Sequence, residues 1–282
     1  MKKVLKPLGV IFLIILIALT GCKKSDSGTN SENPSTPTIP TGVINGLFTI
    51  NENGGQVYFS QGNLQYQAST DTWRFAEHQW DYIGMDNENI SPEYNGWIDL
   101  FGWGTGDNPT NSSTNNSDYP DFNDWGNNMI SNGGNTPNTW HTLTLHDWEY
   151  IIHTRSTTSG IRFAKAQVDE VNGLILLPDS WDSITYSLNR TNEYFVYYNS
   201  NIITQSDWTN ILESNGAVFL PAAGFRNGTD VRLVDSYGYY WSTTPYSIYY
   251  ARAILVKDDY LTTGSWTDRE GGHCVRLVCS AE

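Results

Sequence analysis

Three carboxylates and an amide fall within seven residues at Asp118, Asp121, Asn123 and Asp124, in a run whose Tyr119, Pro120 and Phe122 suit a loop. Calcium takes about six to eight oxygens from flexible carboxylates and carbonyls, so Asp118, Asp121 and Asp124 form a candidate calcium set. The run lacks the central Gly and terminal Glu of an EF-hand, and an ordinary solvated acidic loop is the competing reading. A glycosidase would need two carboxylates about 5–9.5 Å apart in a cleft, but a chain with 30 acidic residues offers such pairs by chance. There is no GxSxG, no HExxH, no CxxC and no Gly-rich phosphate loop. The five histidines, His78, His141, His146, His153 and His273, are too scattered to predict a zinc site.

Aromatic residues are the stronger signal. The chain carries 11 Trp, 17 Tyr and 10 Phe. Residues 84–140 are rich in Asn, Gly, Asp, Ser and Pro, which suppress helix and strand, yet Trp and Tyr recur through them. A stretch this long without regular structure is functional or disordered in most domains, and its aromatics predict ordered loops pinned to the body. Trp97, Trp103, Tyr119 and Trp125 are therefore the candidate ligand-binding residues: broad faces with one polar handle, placed in loops, where binding residues concentrate. Their other role would be to plug the core and hold the loops down. Trp73, Trp148 and Trp208 have periodic apolar company and read as core.

The elements that must position these residues read as follows. The segments VINGLFTI, GGQVYFS, NLQYQ and TWRF within 43–75 alternate apolar and polar, predicting short strands with Val57, Phe59, Leu64, Tyr66, Trp73 and Phe75 inward. Two later segments resemble each other: LTLHDW at 143–148 followed by Ile151 and Ile152, and ITQSDW at 203–208 followed by Ile211 and Leu212. In each, Thr caps a helix, Asp is its third residue, and the preceding aliphatic staples onto Trp. Helices are expected over 145–154 and 205–213. Near their ends come NGLILLP (172–178) and NGAVFLP (215–221), whose unbroken apolar runs predict strands buried on both faces. An internal duplication, or two solutions to one capping problem, would explain the likeness. Toward the C-terminus, Ile248, Tyr250, Ala253 and Leu255 fit one strand. Val275, Leu277 and Cys279 fit another with Arg276 on its opposite face, and 231–234 fit a loop strand. The expectation is one α+β domain with small antiparallel sheets, two short helices and long Gly/Asn-rich loops.

The chain has 282 residues, 16 basic and 30 acidic, for a net charge of −14. That balance argues against nucleic-acid binding, which needs a basic stripe over phosphates, and the charged fraction of 16% is too low for a long coiled coil. Lys2, Lys3 and Lys6 precede an apolar run at 8–19, shorter than the ~20 residues a spanning helix needs. LTGC at 19–22 resembles a bacterial lipobox, which implies a signal peptide at 1–21 and acylation of Cys22. Residues 22–41 then read as a lipidated cysteine and flexible tether of Ser, Thr, Asn and Pro. An acidic chain has no basic patch for anionic lipid, so the acyl chains would do the anchoring.

VYFSQGNLQYQAST and TWRFAEHQWDYIG (within 57–84), GWIDLFGWGTG (96–106), NGLILLPDSW (172–181), NGAVFLPAAGFRNG (215–228), GYYWSTT (238–244) and HCVRLVC (273–279) resemble a family of Bacteroidetes surface lipoproteins. The C-terminal half is similar to the Fibrobacter major paralogous domain and the collagen-like adhesin C-terminal domain, related in fold to C-type lectins and to the formylglycine-generating enzyme. Here the segment before the first helix reads HTLTLHDW, and the cysteine expected near the terminal Arg is displaced to Cys274 and Cys279. The resemblance covers 42–282 and implies a C-type-lectin-like fold and an outer-membrane lipoprotein exposed at the cell surface. The implied activity is non-enzymatic binding or adhesion toward a glycan or another surface protein. A structural part of a surface assembly is the alternative. An enzyme of the formylglycine-generating type would need a redox-poised cysteine pair, whereas Cys274 and Cys279 sit five apart, on opposite faces of an unbent strand.

Overall fold

A computed structural model of the chain describes residues 39–281. The chain divides into two units, Met1–Thr38 and Ile39–Glu282, and the described residues all belong to the second. The expected signal peptide at 1–21, Cys22 and residues 23–38 of the expected tether lie outside the described residues. No helix among the described residues is long and apolar enough to cross a membrane.

Alternation in the N-terminal third becomes two hairpins. Phe48–Thr49 pairs with Gln56–Phe59 across a turn in which Asn51 Oδ1 accepts from the N–H groups of Asn53 and Gly55, both at 3.1 Å. Leu64–Gln67 pairs with Thr72–Phe75. Val57, Phe59, Leu64, Tyr66, Trp73 and Phe75 are all buried, because period-two alternation leaves one face of each strand no other destination. The last strand, Val278–Ser280, joins the free edge of Gln56–Phe59 and pairs Val278 with Phe59. The two ends of the described chain thus lie in one sheet.

A four-stranded sheet forms the centre, in the order Ile202–Ile203, Phe163–Val168, Val171–Leu176 and Val218–Pro221. The first pair is parallel and the others antiparallel. The two apolar runs lie side by side, Leu174 opposite Leu220 and Ile175 opposite Phe219. Leu174, Leu176, Val218 and Leu220 enter the largest core cluster, with Phe59, Trp148 and Tyr240. Ile175, Leu177 and Phe219 point the other way, onto Trp181, Trp208 and Leu212. Burial on both faces is why these strands lack alternation.

Both predicted helices form, and both widen in pitch near their Trp, the second two residues earlier than the first. Leu145–Glu149 is α-helical and widens to a π turn over Tyr150–Thr154; Gln205–Asp207 widens likewise over Trp208–Leu212. Thr144 Oγ1 accepts from the Asp147 N–H at 3.1 Å while Asp147 Oδ2 accepts from the Thr144 N–H at 2.9 Å. Thr204 Oγ1 accepts from the Asp207 N–H at 3.1 Å. Leu143 with Trp148, and Ile203 with Trp208, are buried in the same clusters, as a staple requires. The copies diverge after their helices. Asn215-Gly216 ends the second helix, with Gly216 at φ 86° and pressed so close to Gly46 that a Cβ would lie 2.6 Å from its Cα. Asn172 and Gly173 instead lie inside a strand, behind a hairpin turn at Asp169 and Glu170.

The C-terminal sheet holds Tyr237–Pro245, Tyr250–Lys257 and Tyr260–Asp268, all antiparallel. Its third strand was not anticipated, because YLTTGSWTD alternates weakly. The expected strand beginning at Ile248 is corrected: Ile248 lies in the preceding turn, 71% exposed. The register slips between Ala253 and Leu255, so Ile254 and Val256 face inward and Leu255 is half-buried. The expected loop strand is the hairpin Phe225–Asn227 and Asp230–Arg232. Val275, Leu277 and Cys279 share one cluster while Cys274 and Val278 enter another, with Arg276 buried between them. The architecture is α+β, as expected: small, mainly antiparallel sheets and short helices.

Candidate functional site

Between Phe75 and Leu145 the chain forms no extended strand among the described residues, only short 3-10 turns at Gly84–Asn89, Asn116–Asp118 and Trp125–Asn127. Its aromatics hold it in place. Trp103 Nε1 donates to the Ser242 carbonyl at 2.9 Å, and Phe122 lies 5.1 Å from its ring. Trp125 sits edge-on to Phe122 at 5.5 Å, and Trp140 Nε1 donates to the Gly133 carbonyl at 2.8 Å. Tyr119 OH donates to the Ser113 carbonyl at 2.9 Å, and burial pushes its hydroxyl pKa up to about 12. Trp103, Tyr119 and Trp125 are 3%, 2% and 0% exposed and act as loop anchors; Trp125, fully buried, is corrected as a ligand contact, whereas Trp103 and Tyr119 also line the first hollow described below. The physical reason is the polar composition of the loops, which leaves their aromatics, with Ile90, Ile98, Leu100 and Ile130, as the large apolar surface available to bury. Trp97 is half-buried, with the Arg74 guanidinium 3.7 Å over its ring.

The three carboxylates of the calcium set are placed as follows. Asp124 caps the Trp125–Asn127 turn, where its Oδ1 accepts from the Gly126 N–H at 3.1 Å and the Thr142 hydroxyl at 2.8 Å. Its Oδ2 accepts from the Thr142 N–H at 2.9 Å. Asp118 accepts from the Ser113 hydroxyl. Asp118 and Asp121 line one hollow that Asp124 does not reach, and no metal-holding group of three acidic, His or Cys side chains occurs among the described residues.

The same loop nevertheless lines a cleft. A first hollow of about 260 Å³ lies between residues 103–108 and 118–123, with Asp107, Asn108, Asn111, Asp118 and Asp121 on its walls. Its backbone frame is tight. Gly106 N–H donates to the Asn123 carbonyl and Asn123 N–H to the Gly104 carbonyl, both at 3.0 Å. Gly104 has φ 68°, and a Cβ there would fall 2.6 Å from the Asp121 carbonyl oxygen, so only glycine fits. A second hollow of about 290 Å³ shares Pro120 and is bounded by Asn116, Ser117, Ile248, Tyr249 and Arg269.

Arg269 joins the two walls. Its Nη1 donates to the carbonyls of Tyr119 (3.0 Å) and Pro120 (2.8 Å), and its Nη2 to that of Ser247 (2.7 Å). The guanidinium carbon lies 4.2 Å over the Trp103 ring. Arg269 is 6% exposed, and its Nε has no partner among the described residues. Beside it Arg226 is also buried, donating to the carbonyls of Leu100 (3.2 Å), Gly228 and Asn111 (3.2 Å). Burial lowers its pKa to about 10.

Beyond the second hollow the C-terminal sheet presents exposed aromatics. Tyr250 pairs with Asp268 and Arg252 with Trp266, so these four side chains project from one face. Asp268 Oδ1 accepts from Asn116 Nδ2 at 2.9 Å, which ties that face to the cleft rim. Tyr246 and Trp266 are near-parallel, 6.0 Å between centroids, and Tyr250 meets Trp266 edge-on at 4.9 Å. Arg252 lies 4.3 Å over the Tyr246 ring while its Nη1 donates to the Gly264 carbonyl at 2.7 Å. Tyr246, Ile248, Tyr249 and Trp266 are 52%, 71%, 48% and 54% exposed. Sequence reasoning passed over this group because YSIYYAR reads as a strand; Pro245 and Ser247 were the signal that the aromatics open a turn.

Residues 191–278 match a family model described as a domain of unknown function (DUF8237). No curated protein and no solved structure matches the chain. The matched span covers less than half of the chain; it contains Arg269 and the exposed aromatics but not the wall at 103–123.

Both remaining cysteines are free and buried. Burial holds the Cys274 thiol well above its usual range and pushes Cys279 up to about 11. His273, stacked 4.5 Å from Tyr239 and bonded through Nε2 to Thr267 Oγ1 at 3.1 Å, has its pKa lowered to about 3 by burial. It is neutral at any physiological pH and belongs to the packing.

Proposed function

We propose that this chain is a non-enzymatic surface-binding module that recognises a glycan in the cleft between residues 103–123 and 246–269. The observation that carries the reading is the exposed aromatic group at Tyr246, Tyr249 and Trp266, continuous with hollows walled by amides and carboxylates. Sugar rings present apolar C–H faces and a rim of hydroxyls, and such a surface offers flat partners for the first and acceptors for the second. Binding rather than catalysis is supported by cysteines held protonated in the core. Two short helices, small sheets and long anchored loops support a variant of the C-type-lectin-like fold. Acylation at Cys22 would tether the module to the outer membrane, facing the cell exterior.

The test is a glycan array probed with the full chain in detergent, with calcium and again with chelator. Binding is expected, and is expected to survive chelation, since Asp118 and Asp124 are already engaged with Ser113 and Thr142. Trp266→Ala and Tyr249→Ala should each weaken it at least tenfold without unfolding the protein, both side chains being about half exposed. An array without signal would sink the glycan reading and leave a protein partner as the ligand.

A further inference from the structure

Resting on that reading of the cleft, we propose that its ligand is an internal stretch of a neutral polysaccharide chain, held over several consecutive sugar units, rather than a chain end or an acidic glycan. The contact surfaces form a series. The first hollow shares Pro120 with the second. Tyr249 and Asn116 border the second, and Asn116 Nδ2 donates to Asp268 Oδ1. Trp266 follows two residues along the same strand face, roughly 7 Å further on, with Tyr246 beside it. A reader of chain ends needs one enclosed socket around a single ring. Here stacking surfaces and polar walls succeed one another along a path open at the Trp266 end, where that side chain is 54% exposed.

Charge sets the sugar class. Asp107, Asp118 and Asp121 line the first hollow. Arg226 donates from all three guanidinium nitrogens to backbone carbonyls, and Arg269, at the second hollow, does so from both Nη groups. Arg252 is engaged with the Gly264 carbonyl and the Tyr246 ring. A uronate or sulfate entering the first hollow would meet three carboxylates and no Lys or Arg on its walls, in a chain of net charge −14. The unpartnered Nε of the buried Arg269, a residue bordering the second hollow, marks a polar atom that the protein's own packing leaves unserved.

Isothermal titration of the full chain with β-1,4-linked gluco-, xylo- and manno-oligosaccharides of one to six units tests this, with oligogalacturonates as the acidic counterpart. Affinity should climb at least tenfold between one unit and three or four units of the preferred series and then level off. Oligogalacturonates should bind at least tenfold more weakly at equal length. Trp266→Ala should reduce the ratio of hexasaccharide to disaccharide affinity. A monosaccharide binding as tightly as the hexasaccharide, or oligogalacturonates binding as well as neutral chains, would overturn this inference and leave the glycan reading standing. No binding to any of the four series, together with a silent array, would overturn both.

Discussion

Replacing Arg269 by Met keeps much of the side chain's bulk over Trp103 but removes the three hydrogen bonds that tie Tyr119, Pro120 and Ser247 together. A hydrogen bond from a charged donor contributes about 1.5–3 kcal/mol when its partner cannot be solvated. Water can reach part of this cleft, so the net loss is set nearer about 3 kcal/mol for all three than the sum of three full bonds. The loss should appear locally, because the two loops have few other ties to one another. An opening easier by about 3 kcal/mol accelerates amide exchange about 100-fold. Hydrogen exchange read by mass spectrometry should therefore show faster exchange in residues 113–121 and 246–250. The four-stranded sheet at 163–176 should keep its protection. Arg269→Lys should fall between, since one ammonium cannot span carbonyls on both walls as a planar fork does. An acceleration below about threefold in both loops, or equal acceleration in the central sheet, would refute the assignment of Arg269 as the tie between the walls.

Two further predictions concern buried charge. Arg155 is fully buried and pairs through Nη1 with Asp179 Oδ1 at 2.9 Å, while Asp179 Oδ2 accepts from the Thr49 N–H (2.8 Å) and hydroxyl (2.7 Å). Asp179→Asn keeps the shape but leaves the guanidinium without a counter-charge, so it should cost about 3 kcal/mol in a denaturant melt and markedly less in an Arg155→Met background; equal costs in both backgrounds would contradict the pairing. Asp99 is buried, and although it accepts from Asn87 Nδ2 (2.8 Å) and the Ile83 N–H (2.9 Å), desolvation outweighs these bonds and lifts its pKa to about 6. A carboxyl raised in the folded state adds stability that is complete below its unfolded value and lost as pH rises through 6. The melting temperature should fall from pH 4.5 to pH 7.5, with Asp99 contributing of order 2 kcal/mol over that interval, and Asp99→Asn should flatten that slope; a melting temperature that rises over the same interval would exclude the effect.

Much of the scaffold was legible without coordinates, for reasons that act over a few residues. Alternation assigned the inward faces from Val57 to Phe75. Capping chemistry located both helix starts at Thr144 and Thr204, since the Thr hydroxyl and the Asp at the third position meet only when the turn closes. Unbroken apolar runs marked Leu174–Leu177 and 217–220 as strands buried on both faces. The Tyr260–Asp268 strand escaped because its register depends on pairing with Tyr250–Lys257 across a bulge, a contact that leaves little trace in its own composition.

What tertiary structure alone decided was the fate of each aromatic and each carboxylate. Trp103 and Trp266 are the same residue type in similar polar surroundings along the chain. One is buried because the Ser242 carbonyl and the Arg269 guanidinium arrive from more than a hundred residues away to cover it. The other stays open because it lies on the outer face of a sheet whose inner face carries Ala251 and Ala253 into the core. Asp124 looked like a metal ligand beside Asp118 and Asp121 until Thr142, distant in sequence, claimed both of its oxygens. Local chemistry determines what a side chain can do, whereas burial and the remaining hydrogen-bonding capacity depend on remote segments that no short window of sequence contains.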